Sequence, residues 1–463
     1  MSGALTAVAA PDLPGSPGIE RAPLMPAGFV AAAATVGIKA SGRPDLAIVA
    51  TAERPGGRLP AAVAAVFTPN AFAAAPVRLS RANLAATGTD DGSCGWAHAV
   101  VVTSGSANAA TGAAGDADQA RVLETLAQAL GCAPTSTLAM STGIIGTRLP
   151  LDRVLRGIGR LVDGGLEATD DALAATADAM RTTDSRPKVA SAGVSLPDVD
   201  GGPVAVRVTG IAKGVGMIHP RMATMLSIVL TDAVVEPSVL RDILRPAAAR
   251  TWNQLSVDGD TSTNDTVFLL ASGASPAAPV LADSPAAARL AAAVEAVARD
   301  LARQQAADGE GATTLFTAVV RGGTDDAEAR AVARAIVSSS LVKAAVHGRD
   351  PNWGRLVGAA GNARLADAPV LRAAGIPTAA ADARAGSPAR VEPDRLRVSI
   401  SGTTVFDGPA GGPVGFDREA VRSAMSAPEV VVELDLGLGD GVGEAFGCDL
   451  TEEYVRENSE YTT

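Results

Sequence analysis

The sequence predicts a mixed α/β fold with a second, smaller unit at its C-terminal end. Three observations support this prediction. Short apolar runs bounded by Gly, Pro and Ser are typical of buried strands. Helical spacing of apolar residues occurs between those runs, so strands and helices alternate. A low-complexity Ala, Pro and Gly segment precedes the last predicted strands, and we expect a C-terminal domain to begin near Gly322.

The first half of the chain is predicted to begin with a flexible tail and to continue as alternating elements. Residues 1–25 are rich in Pro, Gly and Ala, which is typical of such a tail. A loop rich in Gly, Asp and Ser is expected as a surface insertion over residues 86–96. Strands are predicted at residues 45–51, 61–67, 99–103 and 204–208, and helices at about residues 122–130, 150–161 and 168–180.

The central stretch, residues 213–233, leads from a glycine-containing loop into an apolar run. The run from Met225 to Leu230 predicts a buried strand, with Thr224 directly before it. Further on, Ser284 and Pro285 are typical of a helix start. The remaining elements are predicted as a strand at residues 315–321, a helix at 326–337, and strands at 396–401 and 430–436.

The composition indicates a globular chain whose partners are small molecules. Its 463 residues, of which 47% are hydrophobic and 19% charged, can form two to three domains. A net charge of −11 and an aromatic content of 3% argue against nucleic-acid binding. Three scattered cysteines support neither a disulfide framework nor a zinc site. No secretory signal or membrane-spanning run is recognisable, so we expect a cytoplasmic protein.

Lysine is rare in this sequence, because arginine has almost replaced it. The only four lysines are Lys39, Lys188, Lys213 and Lys343. Either cation serves on a solvated surface, whereas the two differ strongly at fixed sites. We therefore expect these positions to be places where an ammonium is specifically required, with chance survival under a codon bias as the alternative.

The sequence lacks the common histidine-based and metal-based catalytic motifs. Histidine occurs only at His98, His219 and His347, and no G-x-S-x-G, H-E-x-x-H or C-x-x-C motif is present. A glycine-rich run follows the last predicted strand at residues 437–443. Its spacing differs from the dinucleotide-binding pattern G-x-G-x-x-G, because Val442 stands where the last glycine belongs. We predict no nucleotide-binding loop and no metal site.

The residues alone leave two interpretations of Thr224. A threonine at the head of an apolar run is most simply a strand residue. The segment Ser141-Thr142-Gly143, however, offers a hydroxyl and backbone N–H groups of the kind that form an oxyanion hole. Glu310 lies between two glycines, and a flexible Gly-Val-Gly segment separates Lys213 from Thr224. These segments favour a catalytic hydroxyl, while ordinary turns remain the alternative for both loops.

Together these segments resemble the ornithine acetyltransferases, also called glutamate N-acetyltransferases, a family of self-cleaving enzymes of arginine biosynthesis. The resemblance extends from about Gly28 to the last residue. It is carried, in order, by Gly37-Ile38-Lys39, Phe67-Thr68-x-Asn70, Ser104-Gly105-x-Ala107-Asn108-Ala109, Ser141-Thr142-Gly143, Thr182-Thr183-Asp184 with Lys188, Lys213-Gly-x-Gly-Met217, Met222-Ala223-Thr224-Met225-Leu226, Asp258-Gly259-Asp260-Thr261-Ser262-Thr263-Asn264-Asp265, Asp308-Gly-Glu310-Gly-Ala312, Ser340-Leu341-Val342-Lys343, Asp350-Pro351-Asn352-Trp353-Gly354-Arg355 and Cys448-Asp449-Leu450-Thr451.

The resemblance implies both a fold and a processing event. The fold would be an αββα sandwich of stacked sheets followed by a smaller C-terminal α/β domain. The chain would cut itself between Ala223 and Thr224, and the α and β chains would form an α2β2 heterotetramer. The domains would be residues 26–223 as the α chain, residues 224–321 as the start of the β chain, and residues 322–463 as the C-terminal domain.

By the same resemblance, Thr224 is the nucleophile, and Thr142 with Gly143 forms the oxyanion hole. The implied substrate-binding residues are Thr183, Lys213, Thr224, Glu310, Asn458 and Thr463. The acetyl group would pass from N-acetylornithine to glutamate by a ping-pong mechanism through an acylated Thr224. The resemblance implies no cofactor, although acetyl-CoA is a possible co-substrate. Because Asn458 and Thr463 must reach the site, we expect residues 454–463 to be ordered.

Two positions depart from the family pattern. Thr314 stands where members usually carry lysine, and Arg221 stands where asparagine is common. These departures leave open a related N-terminal-threonine acyltransferase or amidohydrolase of a specialised-metabolite pathway, with another acyl donor or acceptor. A binding or scaffold protein that kept the fold without activity is the alternative outside the enzymes.

Overall fold

The computed structural model of the protein describes residues 18–88, 91–219 and 225–459. Within these ranges the chain forms twenty strands and thirteen α-helices, with two short 3-10 helices at Pro134–Ser136 and Trp252–Gln254. The strands are β1 Ile19–Glu20, β2 Phe29–Ala34, β3 Leu46–Thr51, β4 Glu53–Arg54, β5 Gly57–Arg58, β6 Ala61–Phe67, β7 Cys94–Ala97, β8 Ala99–Ser106, β9 Thr137–Ile144, β10 Lys188–Pro197, β11 Pro203–Lys213, β12 Leu226–Thr231, β13 Leu255–Ser256, β14 Thr266–Ala271, β15 Leu315–Gly323, β16 Arg397–Ile400, β17 Thr403–Asp407, β18 Gly412–Pro413, β19 Glu429–Asp435 and β20 Gly441–Cys448. The helices are α1 Ala75–Thr87, α2 Gly112–Leu130, α3 Leu151–Asp163, α4 Asp170–Met180, α5 Pro237–Arg250, α6 Pro285–Ala307, α7 Asp326–Ser338, α8 Ser340–His347, α9 Trp353–Gly361, α10 Ala368–Ala373, α11 Thr378–Arg384, α12 Arg418–Ala424 and α13 Glu452–Ser459.

Two sheets organise the first part of the chain. The larger has seven strands in the order β1-β10-β11-β12-β14-β6-β7, and the smaller has four in the order β2-β3-β8-β9. Most pairs are antiparallel, whereas β12 with β14 and β8 with β9 are parallel. Because parallel strands start at the same edge of a sheet, residues directly before β12 and β14 lie near each other.

The two sheets stack on each other, as the alternation of side chains in β12 makes clear. Leu226, Ile228 and Leu230 belong to a core that also contains apolar residues of β2, β3 and β8 from the smaller sheet. Val229 points to the opposite face, where it packs with residues of α5 and α6. Successive side chains of a strand face opposite sides, so this strand is buried on both faces. That explains why the sequence shows a continuous apolar run here.

Helices cover the outer faces of both sheets. Helices α5 and α6 pack on the seven-stranded sheet, and α2 and α3 pack on the four-stranded sheet. The resulting layers are helix, sheet, sheet and helix, with α1 and α4 contributing to the core between the sheets. The predicted αββα sandwich is therefore confirmed.

A third sheet forms the smaller C-terminal part of the fold. Its seven strands follow the order β13-β20-β15-β19-β16-β17-β18, and residues of α7, α8 and α9 contribute to the core on it. The predicted strands at 315–321, 396–401 and 430–436 all occur in this sheet as β15, β16 and β19. The division of the chain at residues 223, 321 and 322 stays a prediction.

Helix α6 connects the sandwich with the C-terminal sheet. Ser284 caps it by accepting a hydrogen bond from the Ala287 N–H, as the Ser-Pro signal indicates. Near its C-terminal end, Arg303 Nη1 and Nη2 donate to the two carboxylate oxygens of Glu429 at 2.9 and 2.8 Å. Thr317 Oγ1 donates to the same carboxylate at 2.6 Å. This bidentate pair fixes the helix to strands β15 and β19.

Two segments differ from the sequence predictions. The predicted surface loop at residues 86–96 contains the start of β7, which pairs with β6 at the edge of the large sheet. Its sequence, Cys-Gly-Trp-Ala, is too short for a strand pattern, and pairing with β6 decides its conformation. The predicted tail includes β1, which pairs with β10, and Arg21, which binds Asp300. Residues 1–17 lie outside the described residues.

None of the helices in the described ranges is long and apolar enough to cross a membrane. 

Replacing Arg303 with Met is expected to lower the free energy of unfolding by about 3 kcal/mol, because the carboxylate of Glu429, whose side chain is only 11% exposed, would lose its cation. Chemical denaturation measures this change. Arg250→Met is the control, since the Arg250–Glu295 pair is about one-third exposed on both sides and its loss should cost at most about 1 kcal/mol. Equal destabilisation by Arg303→Met and Arg250→Met would contradict the conclusion that the Arg303–Glu429 pair fixes helix α6 to the C-terminal sheet.

Candidate active site

A cavity of about 310 Å³ lies at one edge of the seven-stranded sheet that contains β11, β12 and β14. The end of β11 contributes Lys213, the start of β12 contributes Leu226, and Asp265 directly precedes β14. Its lining comprises Thr142, Gly143, Ile144, Ile145, Thr182, Thr183, Lys213, Gly214, Gly216, Met217, Met225, Leu226, Ser262, Thr263, Asn264, Asp265, Glu310 and Asn458. Six residues that the sequence assigns to the site therefore meet here: Thr142, Gly143, Thr183, Lys213, Glu310 and Asn458.

Thr142 and Gly143 enter the cavity at the end of β9. Gly143 has φ of +130°, and a Cβ atom at this position would lie 2.3 Å from the carbonyl carbon of Gly105 on β8. Only glycine allows the two strands to approach so closely. Thr142 Oγ1 accepts a hydrogen bond from Lys213 Nζ at 3.2 Å, so the predicted oxyanion-hole residues lie beside an ammonium.

Lys213 is the cation of the cavity. It ends β11 and is nearly buried, and its Nζ lies 3.8 Å from Asp184 Oδ2. Burial lowers the pKa of Lys213, and nearby Lys188 lowers it further, while the carboxyl groups of Asp184, Glu310 and Asp265 oppose the shift. A desolvated ammonium of this kind favours binding of an anionic group.

Glu310 is held in one orientation by two side chains. Its Oε1 accepts a hydrogen bond from Thr183 Oγ1, and its Oε2 accepts one from Asn458 Nδ2, both at 2.9 Å. Gly216 makes room for the carboxylate, because a Cβ atom there would lie 2.1 Å from Oε2. The cavity thus combines a fixed carboxylate with the Lys213 ammonium, which suits a ligand that carries both charges.

Asn458 reaches the cavity from helix α13. The helix is anchored by Thr451, whose Oγ1 donates to the Gly311 carbonyl at 2.7 Å and accepts from the Tyr454 N–H at 3.2 Å. Residues 454–459 of the segment predicted to be ordered lie in this helix. The order of the whole segment stays a prediction, because Thr463 lies outside the described residues.

Thr224 and Ala223, the predicted nucleophile and cleavage position, also lie outside the described residues. The next residue, Met225, lines the cavity and precedes β12. Its carbonyl accepts a hydrogen bond from the Thr266 N–H at 2.9 Å. The residue that is covalently bonded to Thr224 therefore lies at the edge of the cavity.

A buried ion cluster under the cavity joins three of its loops. Lys188 Nζ donates to Asp184 Oδ1 at 2.6 Å and also to the carboxylate of Asp308. Asp184 accepts from the Gly214 N–H at 2.8 Å. Asp184 follows Thr183, Gly214 follows Lys213, and Asp308 lies two residues before Glu310. The cluster consequently sets the spacing of the polar groups in the cavity.

The charges of this cluster are stabilised mutually. Burial alone would raise the pKa of Asp184, but the ammonium groups of Lys188 and Lys213 and the Gly214 N–H hold it well below its usual range. Asp184 is 2% exposed, and Lys188 is fully buried. Asp184 therefore carries its negative charge in the folded protein.

The residues of this cluster lie in sequence motifs of the family, but the sequence did not predict that they contact one another. Asp184, Lys188 and Asp308 all lie in segments that resemble the family, yet nothing in their spacing indicates that they meet. The same is true of Asn264, whose Nδ2 donates to the carbonyls of Ala107 and Ser141 at 2.6 and 2.9 Å. Asn264 thereby fixes the strand that carries Thr142.

All four lysines bind defined acceptors, as their rarity predicts. Lys39 Nζ donates to the carbonyls of Pro44 and Ala179, and burial lowers its pKa to about 8. Lys343 Nζ donates to the Cys448 carbonyl at 2.5 Å. Lys188 and Lys213 belong to the cluster and the cavity. None of the four is an exposed side chain.

Among the described residues, no three His, Cys, Asp or Glu side chains are grouped as ligands for a metal ion.

The stacked sheets and a cavity with fixed opposite charges define an enzyme that acts on small molecules. The chain belongs to the ArgJ family, whose family model matches residues 30–463. It is 43% identical to the arginine biosynthesis bifunctional protein ArgJ of Thermus thermophilus over 439 residues, which are 95% of this chain and 99% of that protein. The protein of the same name from Deinococcus radiodurans is 42% identical over 438 residues, 95% of this chain and 97% of that protein.

Two solved structures are also similar. The arginine biosynthesis bifunctional protein ArgJ of Bacillus halodurans is 36% identical, with a TM-score of 0.44, over 51% of this chain and 99% of that chain. The ornithine acetyltransferase of Mycobacterium tuberculosis, solved in complex with ornithine, is 35% identical, with a TM-score of 0.37, over 44% of this chain and 98% of that chain. The family resemblance inferred from the sequence is confirmed by the family match and the relatives.

Replacing Lys188 with Met is expected to lower the free energy of unfolding by about 3 kcal/mol, because Asp184 and Asp308 would lose the ammonium that donates to both. The cations that remain lie farther away, Lys213 at 3.8 Å from Asp184 and Arg186 at 3.7 Å from Asp308. In the parent protein the low pKa of Asp184 means that its contribution is present above the unfolded-state pKa of about 3.9 and is lost as pH falls through the folded-state value. In the variant the strongest cation opposing burial is gone, so the pKa of Asp184 rises from its low parent value and the destabilisation should grow as pH rises.

Denaturation at pH 5 and pH 8 measures this dependence. The matched control is the triple variant Lys188→Met, Asp184→Asn, Asp308→Asn, which removes the unpaired charges and should recover most of the loss. A single variant as stable as the parent at pH 8 would contradict the structural importance of the cluster.

Proposed function

We propose that this protein is an N-acetyltransferase of arginine biosynthesis that moves an acetyl group from N-acetyl-L-ornithine to L-glutamate. The proposal rests on the cavity. Residues as far apart in the sequence as Thr142 and Asn458 line it together, beside the start of β12. The names of the relatives in the ArgJ family support the pathway. Ornithine and glutamate are both α-amino acids, so one pocket serves both halves of a ping-pong reaction.

Thr224 is the proposed nucleophile, formed when the chain cuts itself after Ala223. A threonine hydroxyl is a weak nucleophile, but a new N-terminal threonine has its own α-amine, with a reference pKa of about 7.7–8.0, as a base. The amine accepts the Oγ proton as Oγ attacks the acetyl carbonyl, and it returns a proton to the departing ornithine nitrogen. Thr142 and Gly143 are the proposed donors to the oxyanion, at about 3–4 kcal/mol for one donor.

The charges of the cavity match the two substrates. Lys213 is proposed to bind the α-carboxylate that both substrates share. Glu310 is proposed to bind the δ-ammonium of ornithine, while Thr183 and Asn458 keep its carboxylate in place. Thr463 completes the proposed set of substrate-binding residues.

The remaining features of the proposal concern assembly and co-substrates. We propose that the α and β chains form an α2β2 heterotetramer in the cytoplasm, and that the transfer uses no metal or redox cofactor. Acetyl-CoA is a possible additional donor, since the relatives are named bifunctional. If water intercepts the acyl-threonine instead of glutamate, the same residues give an amidohydrolase.

Thr224→Ala is expected to abolish self-cleavage and transfer together. On a denaturing gel the parent protein should give two bands, each roughly half of 46.1 kDa, and the variant a single uncut band. Thr224→Ser is the matched control, because it keeps a hydroxyl and an N-terminal amine, and it should still be cut. A parent chain that stays intact after prolonged incubation while folded would refute the proposed nucleophile.

Glu310→Gln is expected to discriminate between donors that differ only in the distal amine. Loss of a charged hydrogen bond, about 1.5–3 kcal/mol, should lower kcat/KM for N-acetylornithine by about 10- to 100-fold. N-acetylnorvaline has the same carbon chain without the δ-amine and should be affected much less. Glu453→Gln, an exposed change on α13, serves as the control and should leave both donors unaffected. Equal losses for the two donors would remove Glu310 from this role.

A further inference from the structure

The proposed self-cleavage, on which this inference rests, raises a problem of proton transfer. In the mature protein the α-amine of Thr224 accepts the hydroxyl proton. Before cleavage that nitrogen is part of the peptide bond between Ala223 and Thr224 and has no basic lone pair. A different group must therefore take the proton from Oγ and supply one to the departing nitrogen.

The cavity offers three titratable side chains among the described residues: Lys213, Asp265 and Glu310. Lys213 already donates to Thr142 Oγ1, where the oxyanion is proposed to form. Both oxygens of Glu310 accept hydrogen bonds, from Thr183 and Asn458. Asp265 differs from both, because its Oδ2 is shielded from solvent and has no hydrogen-bond partner within residues 18–88, 91–219 and 225–459.

The sheet register places Asp265 next to Met225, the residue that follows Thr224 in the sequence. Strands β12 and β14 are parallel, with Leu226 opposite Thr266. The hydrogen bond from the Thr266 N–H to the Met225 carbonyl joins the two chains one residue earlier. Neighbouring strands lie about 4.8 Å apart, so the backbone of Asp265 is adjacent to that of Met225, which is bonded to Thr224.

The environment of Asp265 favours a carboxyl group that keeps its proton. The residue is 2% exposed. Burial raises its pKa well above the usual range, and the Ser262 hydroxyl and the Lys213 ammonium oppose this shift without reversing it. Lys213 is in turn surrounded by Asp184, Lys188 and Glu310, so its charge is shared among several carboxylates. A carboxylic acid has one oxygen that donates a proton and one that accepts one.

We propose that Asp265 is the proton-transfer residue of self-cleavage. Thr224 Oγ forms a bond to the Ala223 carbonyl carbon, and the bond from that carbon to the Thr224 nitrogen breaks. The Asp265 carboxyl gives its proton to the departing nitrogen and receives the Oγ proton on its other oxygen, so it ends the step unchanged. Water then hydrolyses the resulting ester, which leaves a carboxyl group on Ala223 and the free hydroxyl and amine on Thr224.

Asp265→Asn tests this role, because asparagine has the shape of the neutral carboxyl but cannot exchange its protons in this way. We expect loss of the uncut chain on a denaturing gel to be slowed by about 10²-fold or more. Asp232→Asn is the matched control, since Asp232 is another nearly buried aspartate whose pKa burial raises, located beyond the far end of β12. It should be cut at the parent rate.

The possible outcomes separate this inference from the proposed function. If the parent chain is never cut, self-cleavage itself is wrong. If the parent chain and Asp265→Asn are cut equally fast, only the role of Asp265 is wrong. Hydroxylamine cleaves esters, so it should not restore cutting of Asp265→Asn, in which the ester does not form; restoration to the parent rate would overturn the role.

A second variant covers the case in which Asp265→Asn does not keep the fold. Asp265→Ala leaves space beside the cavity for a small carboxylic acid. Formate should then accelerate cleavage of this variant over an equal concentration of chloride, because it can carry the same protons. Thermal unfolding of each variant verifies that it is folded. A folded Asp265→Ala protein that formate does not rescue would also overturn the role.

Discussion

The cavity depends on the buried ion cluster of Lys188 with Asp184 and Asp308. Each carboxylate belongs to a loop that carries a proposed substrate-binding residue, Thr183 in one case and Glu310 in the other. Buried ion pairs add little net stability compared with apolar packing, but a single missing partner is strongly unfavourable. We therefore interpret the cluster as a positioning element. It favours the arrangement in which the three side chains meet, and that arrangement sets the distance between Thr183 and Glu310 across the cavity.

The parts of the cavity come from distant regions of the chain. The oxyanion strand is fixed by Asn264, the anionic side of the cavity by Thr183 and Asn458, and the cationic side by the end of β11. Asn264, Thr183 and Asn458 provide this support through hydrogen bonds within the protein. A site assembled in this way is rigid before the substrate arrives, which lowers the entropy lost on binding.

Much of the fold was predictable, because its core strands are apolar and its helices carry ordinary start signals. The strand after Thr224, the helix after Ser284 and the C-terminal strands follow from periodicity and capping alone. Strands β1 and β7 could not be predicted, since both are short edge strands whose conformation depends on a neighbour. The identities of the site residues came from motif resemblance, and six of them line one cavity. The roles of Asp184, Lys188 and Asp265 required coordinates, because burial and a missing hydrogen-bond partner leave no trace in residue spacing.

The placement of the four lysines has a chemical consequence for the whole surface. Three are buried, and the half-buried Lys39 is occupied with two backbone carbonyls. Amines are the groups that reactive acyl esters modify most readily, whereas the guanidinium of arginine stays protonated and inert. A protein proposed to hold an acetyl ester on its own threonine thus presents its surroundings with arginine in place of accessible lysine. Its exterior offers the activated acyl group little opportunity for misdirected transfer, either within one molecule or between neighbours.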